Sequence, residues 1–106
     1  MKRIYICGKV TGDPNYQKKF LEAEERLHLA GVWPVSPASF ISKNTEWLKA
    51  MRLAIRELVR CDGIALLPDW KQSKGAKIEE RLARDLGLEV KPISQFVRVK
   101  PIDNPT

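Results

Sequence analysis

The sequence predicts an α/β fold, a small doubly wound parallel sheet of four to five strands with helices on both faces. Short apolar runs that favour strands alternate along the chain with longer segments of helical periodicity. This alternation is typical of parallel sheets, because each crossover connection lays a helix on one face of the sheet. The length of 106 residues suits one domain, which we assign to residues 1–95, with residues 96–106 as a C-terminal strand or tail.

Four runs are predicted to be strands because they are apolar, favour β-structure and are bounded by turn-forming residues. They are RIYIC at 3–7, VWPVSP at 32–37, DGIALLP at 62–68 and LEVKPI at 88–93. The run QFVRVK at 95–100 is a candidate fifth strand, followed by a proline-containing tail that we expect to be irregular.

Three segments between these strands have the period of amphipathic helices. They are residues 14–30, which begin at a proline and are stopped by Gly31, residues 45–60 and residues 76–86. The side chains predicted to face inward are Tyr16, Phe20, Ala23, Leu27 and Ala30; Trp47, Leu48, Met51, Ile55 and Leu58; and Ala76, Ile78, Leu82, Ala83 and Leu86. His28 is predicted at the surface, and Leu53, opposite the apolar face, is a hint of a subunit contact.

Two adjacent glutamates in the third predicted helix point in different directions. At about 100° per residue Glu79 falls within the apolar face, whereas Glu80 lies outside it, one turn from Arg84. An inward carboxylate is costly unless it is hydrogen-bonded, paired or used in chemistry. Position alone leaves two interpretations open, a structural carboxylate near the helix start and a functional one.

Two glycine-containing loops, residues 8–12 and 69–75, follow predicted strands. In doubly wound sheets ligands bind beyond the carboxyl ends of the strands, where the strand order reverses. If the first and third strands are neighbours, these loops meet, and Glu79 faces the crevice between them. This placement favours the functional interpretation of Glu79.

The net charge of +6 and the isoelectric point near 9.6 favour anionic partners. Arg52, Arg56 and Arg60 recur every fourth residue along one flank of the second predicted helix. A solvated face or pairing across subunits is the ordinary explanation of such a flank. Nucleic-acid binding is the less favoured alternative, because no interleaved aromatic residues or known module accompany the arginines.

Cys7 and Cys61 each lie beside an apolar run, which predicts buried free thiols and no disulfide. One histidine and two cysteines without ligand spacing predict that the protein has no metal site. No apolar run approaches the roughly 20 residues of a membrane span, and no signal peptide is recognised before the first strand. We therefore expect a cytoplasmic protein with no membrane partner.

The two loops and their flanking elements resemble a known group of proteins. YICGKVTG at 5–12 resembles the opening strand and loop of the nucleoside 2-deoxyribosyltransferase-like superfamily, including its small bacterial and phage members. CDGIALLPDWKQSKGAKIEERLARDLGL at 61–88 resembles the third strand, glycine loop and glutamate helix of that superfamily. The likeness extends to about Val90 and implies a Rossmann-like fold, with no cofactor.

The resemblance also implies a reaction. In the superfamily the helix glutamate attacks C1′ of a 2-deoxyribosyl group, displaces the base and forms a covalent glycosyl-enzyme. Water or another base then resolves this intermediate. By resemblance Glu79 is the nucleophile and Tyr5 orients it. Relatives assemble as dimers or larger, so a homo-oligomer is expected.

A finer likeness concerns the substrate. Ser73 precedes Glu79 by six residues with Gly75 between them, and Cys7 precedes Gly8. The deoxynucleoside 5′-monophosphate N-glycosidases are similar in both places, which implies a phosphate site. A serine hydroxyl and freed amides at a helix N-terminus suit a phosphate. The alternative is that Ser73 only caps the helix.

The predicted substrate-binding set is therefore drawn from both loops, with Lys74 as a further candidate. Its members are Gly8, Lys9, Thr11, Gly12, Ser73 and Gly75.

One position departs from the superfamily pattern. Relatives often carry an aspartate eight residues before the one that matches Asp62, and here that position is Ala54. Protonation of the leaving base then either needs another group, for which Asp69 is the candidate, or does not happen. Asp62 is interpreted as structural. The departure leaves open a non-catalytic nucleotide-binding module as an alternative to N-glycosidic cleavage or transfer.

Overall fold

The computed structural model describes residues 1–96, in which four strands form one fully parallel sheet. The strands are β1 (Arg3–Cys7), β2 (Trp33–Val35), β3 (Gly63–Leu66) and β4 (Glu89–Pro92). The helices are α1 (Tyr16–Leu29), α2 (Trp47–Leu58), α3 (Lys74–Asp85) and α4 (Ile93–Phe96), with short 3₁₀ turns at Pro37–Ser39 and Trp70–Gln72. The predicted α/β class and its four principal strands are confirmed.

The strand order is β2-β1-β3-β4. After β1 the chain adds β2 on one side and then crosses to add β3 and β4 on the other, so the switch point in strand order lies between β1 and β3. Cys7 pairs with Leu66 at the ends of these two strands. The loops that follow β1 and β3 therefore leave the sheet side by side, as the sequence predicts. In such folds this is the usual position of a ligand cleft.

The two faces of the sheet are covered by different helices, because side chains alternate along each strand. Tyr5 and Cys7 face α2 and α3, whereas Ile4 and Ile6 face α1 and α4. The two layers confirm the predicted doubly wound arrangement.

The buried face of α3 is narrower and more polar than its periodicity predicts. Its buried residues are Gly75, Ala76, Glu79 and Ala83. The predicted inward positions of Ile78 and Leu86 are wrong, since these residues are 39% and 52% exposed. Small side chains let a helix approach a sheet closely, whereas the hydrophobic period gives most weight to large ones. The large residues of α3 consequently lie at its flanks.

Two other inward assignments are also wrong. Leu48 is 56% exposed near the start of α2. Ala30 is exposed because α1 ends at Leu29 and Ala30 forms its C-terminal cap before Gly31, whose φ is 85°. His28 is exposed, as predicted, and Leu53 is half-buried.

The proposed fifth strand is contradicted at its start. Gln95 and Phe96 lie in α4, and the rest of that run, residues 97–100, lies outside the described residues with the tail. Ile93, at the beginning of α4, is 3% exposed and packs in the α1 layer. Burial of Ile93 therefore turns the chain back over the sheet directly after β4.

Cys7 and Cys61 are both buried and free, as predicted. Within residues 1–96, none of the helices combines the length and the apolar character needed to cross a membrane.

Candidate active site

A cleft of ≈ 780 Å³ opens at the carboxyl ends of β1 and β3. It is lined by the loop after β1, the segment that leads from β2 into α2, one face of α2 and the first turns of α3. The predicted meeting of the two glycine-containing loops thus produces a concave site, which is the usual form of a small-molecule site.

Glu79 lies at the floor of this cleft. It lines the cavity although the residue is only 6% exposed. The Tyr5 hydroxyl donates a hydrogen bond of 2.8 Å to Glu79 Oε2. Tyr5 reaches it because β1 directs this side chain towards the α3 layer, where Glu79 occupies the second turn. The sequence-predicted pair is therefore in direct contact, with Tyr5 holding one carboxylate oxygen.

Burial changes the protonation of this pair. Desolvation raises the pKa of Glu79 from 4.5 to about 7, against the opposing effect of the hydrogen bond from Tyr5. Burial, and then the Glu79 charge, raises the pKa of Tyr5 well above 10. Tyr5 consequently remains a hydrogen-bond donor at neutral pH, while Glu79 titrates there.

The Cys7 thiol, which lies beside Glu79, is protonated and buried. Burial and the Glu79 charge raise the pKa of Cys7 well above 9, so the thiolate is scarce. The thiol donates to the Ala76 carbonyl at 3.3 Å, in the first turns of α3. Cys7 therefore anchors the helix that carries Glu79.

Glu80 pairs with Arg84 one turn along α3, as predicted. Its side chain is 12% exposed and so less solvated than the sequence indicates, while that of Arg84 is 62% exposed. Glu80 does not line the cleft. The two adjacent glutamates thus have different surroundings, Glu79 in the cleft lining and Glu80 beside Arg84.

Ser73 and Gly75 line the cleft at the N-terminus of α3. Ser73 Oγ accepts a hydrogen bond of 3.1 Å from the Ala76 amide, so Ser73 is the N-terminal cap of the helix. A Cβ on Gly75 would lie 2.9 Å from Met51 Sδ, so a larger residue there would displace the Met51 side chain where α2 meets α3. Lys74 does not line the cavity, but its ammonium group lies 4.7 Å from the centre of the ring of Trp47, which does.

The first loop contributes Gly8, Thr11 and Gly12 to the cleft lining. A Cβ on Gly8 would lie 2.6 Å from Leu67 Cδ1, so the close contact with the neighbouring strand end requires glycine. Gly12 has φ 84°, a left-handed conformation that side chains disfavour. Lys9, a residue of the same loop that is also predicted to bind substrate, does not line the cavity.

Asp69 is not brought into the cleft. Its Oδ1 accepts from the Lys9 amide at 3.1 Å, and its Oδ2 accepts from the Lys19 ammonium. Both oxygens are therefore occupied by contacts between loops, and this placement gives no support to Asp69 as the acid that protonates the base. Lys19 was not identified by the sequence reasoning, since its position in α1 carries no motif.

One wall of the cleft is apolar. Ala54 is 3% exposed and lines the cavity together with Ala50 and Met51 of the same helix. Trp47, at the start of α2, extends this wall. Ala54 thus places a methyl group, and no proton donor, inside the cleft itself.

Two charged features lie apart from the cleft lining. Asp62 Oδ2 accepts a hydrogen bond of 2.8 Å from the Arg3 amide. This contact lies at the amino ends of β1 and β3, away from the cleft, in keeping with a structural role. Arg56 and Arg60 both pair with Glu57, which partly neutralises the arginine flank. Across residues 1–96, no cluster of three His, Cys, Asp or Glu side chains is arranged to hold a metal.

The sheet order and the cleft define an α/β protein of Rossmann-like architecture with a cavity at the switch point, where ligands of such folds usually bind. The chain belongs to the family described as "Domain of unknown function (DUF4406)", which matches residues 2–92. The structure is similar to that of "2-desoxiribosyltransferase from Leishmania mexicana", with a TM-score of 0.68 and 24% identity. The match covers 87% of this chain and 63% of that one. No curated protein matches the sequence.

Proposed function

We propose that the protein is an enzyme that cleaves or transfers the N-glycosidic bond of 2′-deoxynucleotides or deoxynucleosides. The observation that carries the proposal is the Glu79 carboxylate, buried at the floor of the cleft and held by Tyr5 at 2.8 Å. A buried carboxylate of raised pKa in a cleft is a common feature of functional sites. The fold shared with a 2-desoxiribosyltransferase supports the proposal.

In the proposed reaction Glu79 is the nucleophile. Tyr5 binds Oε2 and orients the carboxylate, so that Oε1 attacks C1′ of the sugar. The C1′–O bond forms while the C1′–N bond breaks, and the bonding electron pair leaves with the base. Water or the nitrogen of a second base then attacks C1′, expels the carboxylate and yields hydrolysis or transfer.

The base leaves without an evident carboxylic acid to protonate it. Of the described cleft residues, only Glu79 and Asp13 are acidic, and the hydrogen bond from Lys19 lowers the pKa of Asp13. Ala54 offers no proton either. This same observation favours the second candidate function, a non-catalytic module that binds a nucleotide in the same cleft.

The N-terminus of α3 is the proposed position of a 5′-phosphate. Ser73 and Gly75 line the cleft there, where the amide groups and dipole of the helix favour an anion. Thr11 lines the same cavity from the first loop. We propose a deoxynucleoside 5′-monophosphate as the preferred ligand, and a homo-oligomer as the working form.

The direct test is incubation with the four deoxynucleoside monophosphates and the four deoxynucleosides, with free base followed by chromatography. We expect release of base from at least one of these substrates, with a monophosphate preferred over its nucleoside. Adding a second free base distinguishes transfer from hydrolysis. Binding of a monophosphate without base release would instead support the non-catalytic module, and neither binding nor release would reject both candidates.

Replacing Ser73 with Ala tests the phosphate position. We expect the affinity advantage of a monophosphate over its nucleoside to narrow by about 1–2 kcal/mol, the scale of a hydrogen bond to a charged group. Loss of the cap is expected to lower stability by about 1 kcal/mol. Calorimetry on both ligands measures the first effect, and urea unfolding the second.

The matched control is Ser94→Ala, at an exposed position of α4, which should alter neither quantity. If Ser73→Ala lowers stability but leaves the advantage of the monophosphate intact, Ser73 is a cap alone and the phosphate position is wrong.

A further inference from the structure

The ammonium group of Lys19 joins three chain segments behind the cleft. It donates hydrogen bonds to the Lys9 carbonyl at 2.7 Å, to Asp13 Oδ2 and to Asp69 Oδ2. A lysine has three N–H groups, so all of its donors are used. The side chains of Lys19, Asp13 and Asp69 are 20–24% exposed, which protects these contacts from much of the solvent.

The two loops are additionally tied to each other. Asp69 Oδ1 accepts from the Lys9 amide at 3.1 Å, so that Lys9 is held through both its N–H and its carbonyl group. Within the first loop, the Asp13 amide donates to the Val10 carbonyl at 3.1 Å. Without Lys19, two partly buried carboxylates would face each other uncompensated, and these ties would weaken.

The segment tied in this way forms one side of the cleft. Residues 10–13 line the cavity, whereas Lys19, Lys9 and Asp69 do not. Lys19 therefore supports the binding surface from behind and does not touch what occupies it. A loop ordered in advance spares the ligand the free energy of ordering it on binding.

We propose that Lys19 is a positioning residue that orders residues 8–13 for ligand binding, and so sets affinity and not the chemical step. The identity of the ligand rests on the function proposed above. The cluster makes no contact with Glu79 or Tyr5, whose hydrogen bond lies on the other face of the sheet.

Two measurements on Lys19→Met test this inference. In the ligand-free protein, hydrogen exchange of peptides covering residues 8–14 should accelerate about tenfold, because the loop opens more often. With a deoxynucleoside monophosphate as probe, Kd or KM should rise about tenfold while kcat changes less than about twofold. Lys19→Arg, which retains the charge, should restore part of both effects.

The matched control is Lys18→Met, which removes an exposed lysine from the same turn of α1 and should change neither measurement. Should Lys19→Met fail to fold, Asp69→Asn removes one charge from the cluster and is measured in the same way. Unchanged exchange in residues 8–14, or faster exchange with unchanged affinity, would overturn the inference. If the native protein neither binds nor cleaves the probe, the proposed function fails, and the exchange measurement alone decides whether Lys19 orders the loop.

Discussion

Replacing Glu79 with Gln is expected to abolish N-glycosidic cleavage while leaving the cleft and the bound ligand in place. The amide has nearly the same shape as the carboxylate and still accepts the Tyr5 hydrogen bond, but it is a far weaker nucleophile. Loss of an essential nucleophile lowers kcat by at least about a thousandfold. Chromatography of released base measures kcat, and calorimetry with a monophosphate verifies that binding persists.

The adjacent glutamate supplies the control. Glu80→Gln removes the same charge one residue along the helix but outside the cleft, at the cost of an ion pair with the largely exposed Arg84. Because neither Glu80 nor Arg84 lines the cleft, activity per folded molecule should stay within about twofold of native. Equal activity per folded molecule in the Glu79 and Glu80 variants would end the nucleophile assignment.

A trapped intermediate distinguishes a nucleophile from a carboxylate that acts only through its charge. A substrate with a 2-fluoro sugar should slow the second step and leave a covalent adduct on the peptide that contains Glu79. Mass spectrometry detects the added mass, and the adduct should be absent from the Glu79→Gln protein.

The second large effect concerns stability as a function of pH. The pKa of Glu79 rises from 4.5 to about 7 on folding, so between these values the folded protein binds more protons than the unfolded chain. The contribution of Glu79 to stability is therefore greatest below about pH 4.5, falls as the pH rises, and is constant above about pH 7. The total loss is on the order of 3 kcal/mol.

Glu79→Gln should remove this dependence, because the amide does not titrate. Relative to the native protein, the variant should gain about 2.5 kcal/mol of stability between pH 5 and pH 8.5. Urea unfolding of both proteins at the two pH values measures the difference in their free energies of unfolding. The contributions of titratable groups that the two proteins share cancel in this difference. Glu80→Gln should retain the native pH dependence. A difference between native protein and Glu79→Gln that does not vary with pH would show that burial does not raise this pKa.

The inward direction of Glu79 and the pairing of Glu80 with Arg84 could be predicted because both follow from the fixed geometry of a helix. The meeting of the two loops follows similarly from the rules of parallel sheets. Whether ionisation of Glu79 stabilises or destabilises the folded protein could not be predicted from the sequence. A position near a helix start indicates a stabilising charge, whereas the burial that opposes ionisation depends on how closely α3 approaches β1.

Contacts that do not follow from the periodicity of a helix or strand could not be predicted from the sequence. Lys19 and Asp69 are 50 residues apart and meet only because α1 lies beside the loop after β3. Ile78 and Leu86 were misplaced because the hydrophobic period weighs side-chain size, while the closest contact of α3 is made by small residues. Contacts between distant segments and the depth of a helix on a sheet are properties of the assembled fold.

The central position of β1 determines when during folding the site can exist. Both edges of β1 are paired by strands that follow it in the chain, β2 and then β3. The bond between Tyr5 and Glu79 spans 74 residues, so it closes only after nearly all of the described chain has been made. Pairing of such long range is slow, and until β3 arrives one edge of β1 is an open template for other chains. The strand that carries Tyr5 is therefore open to misassociation until β3 has been synthesised and has paired with it.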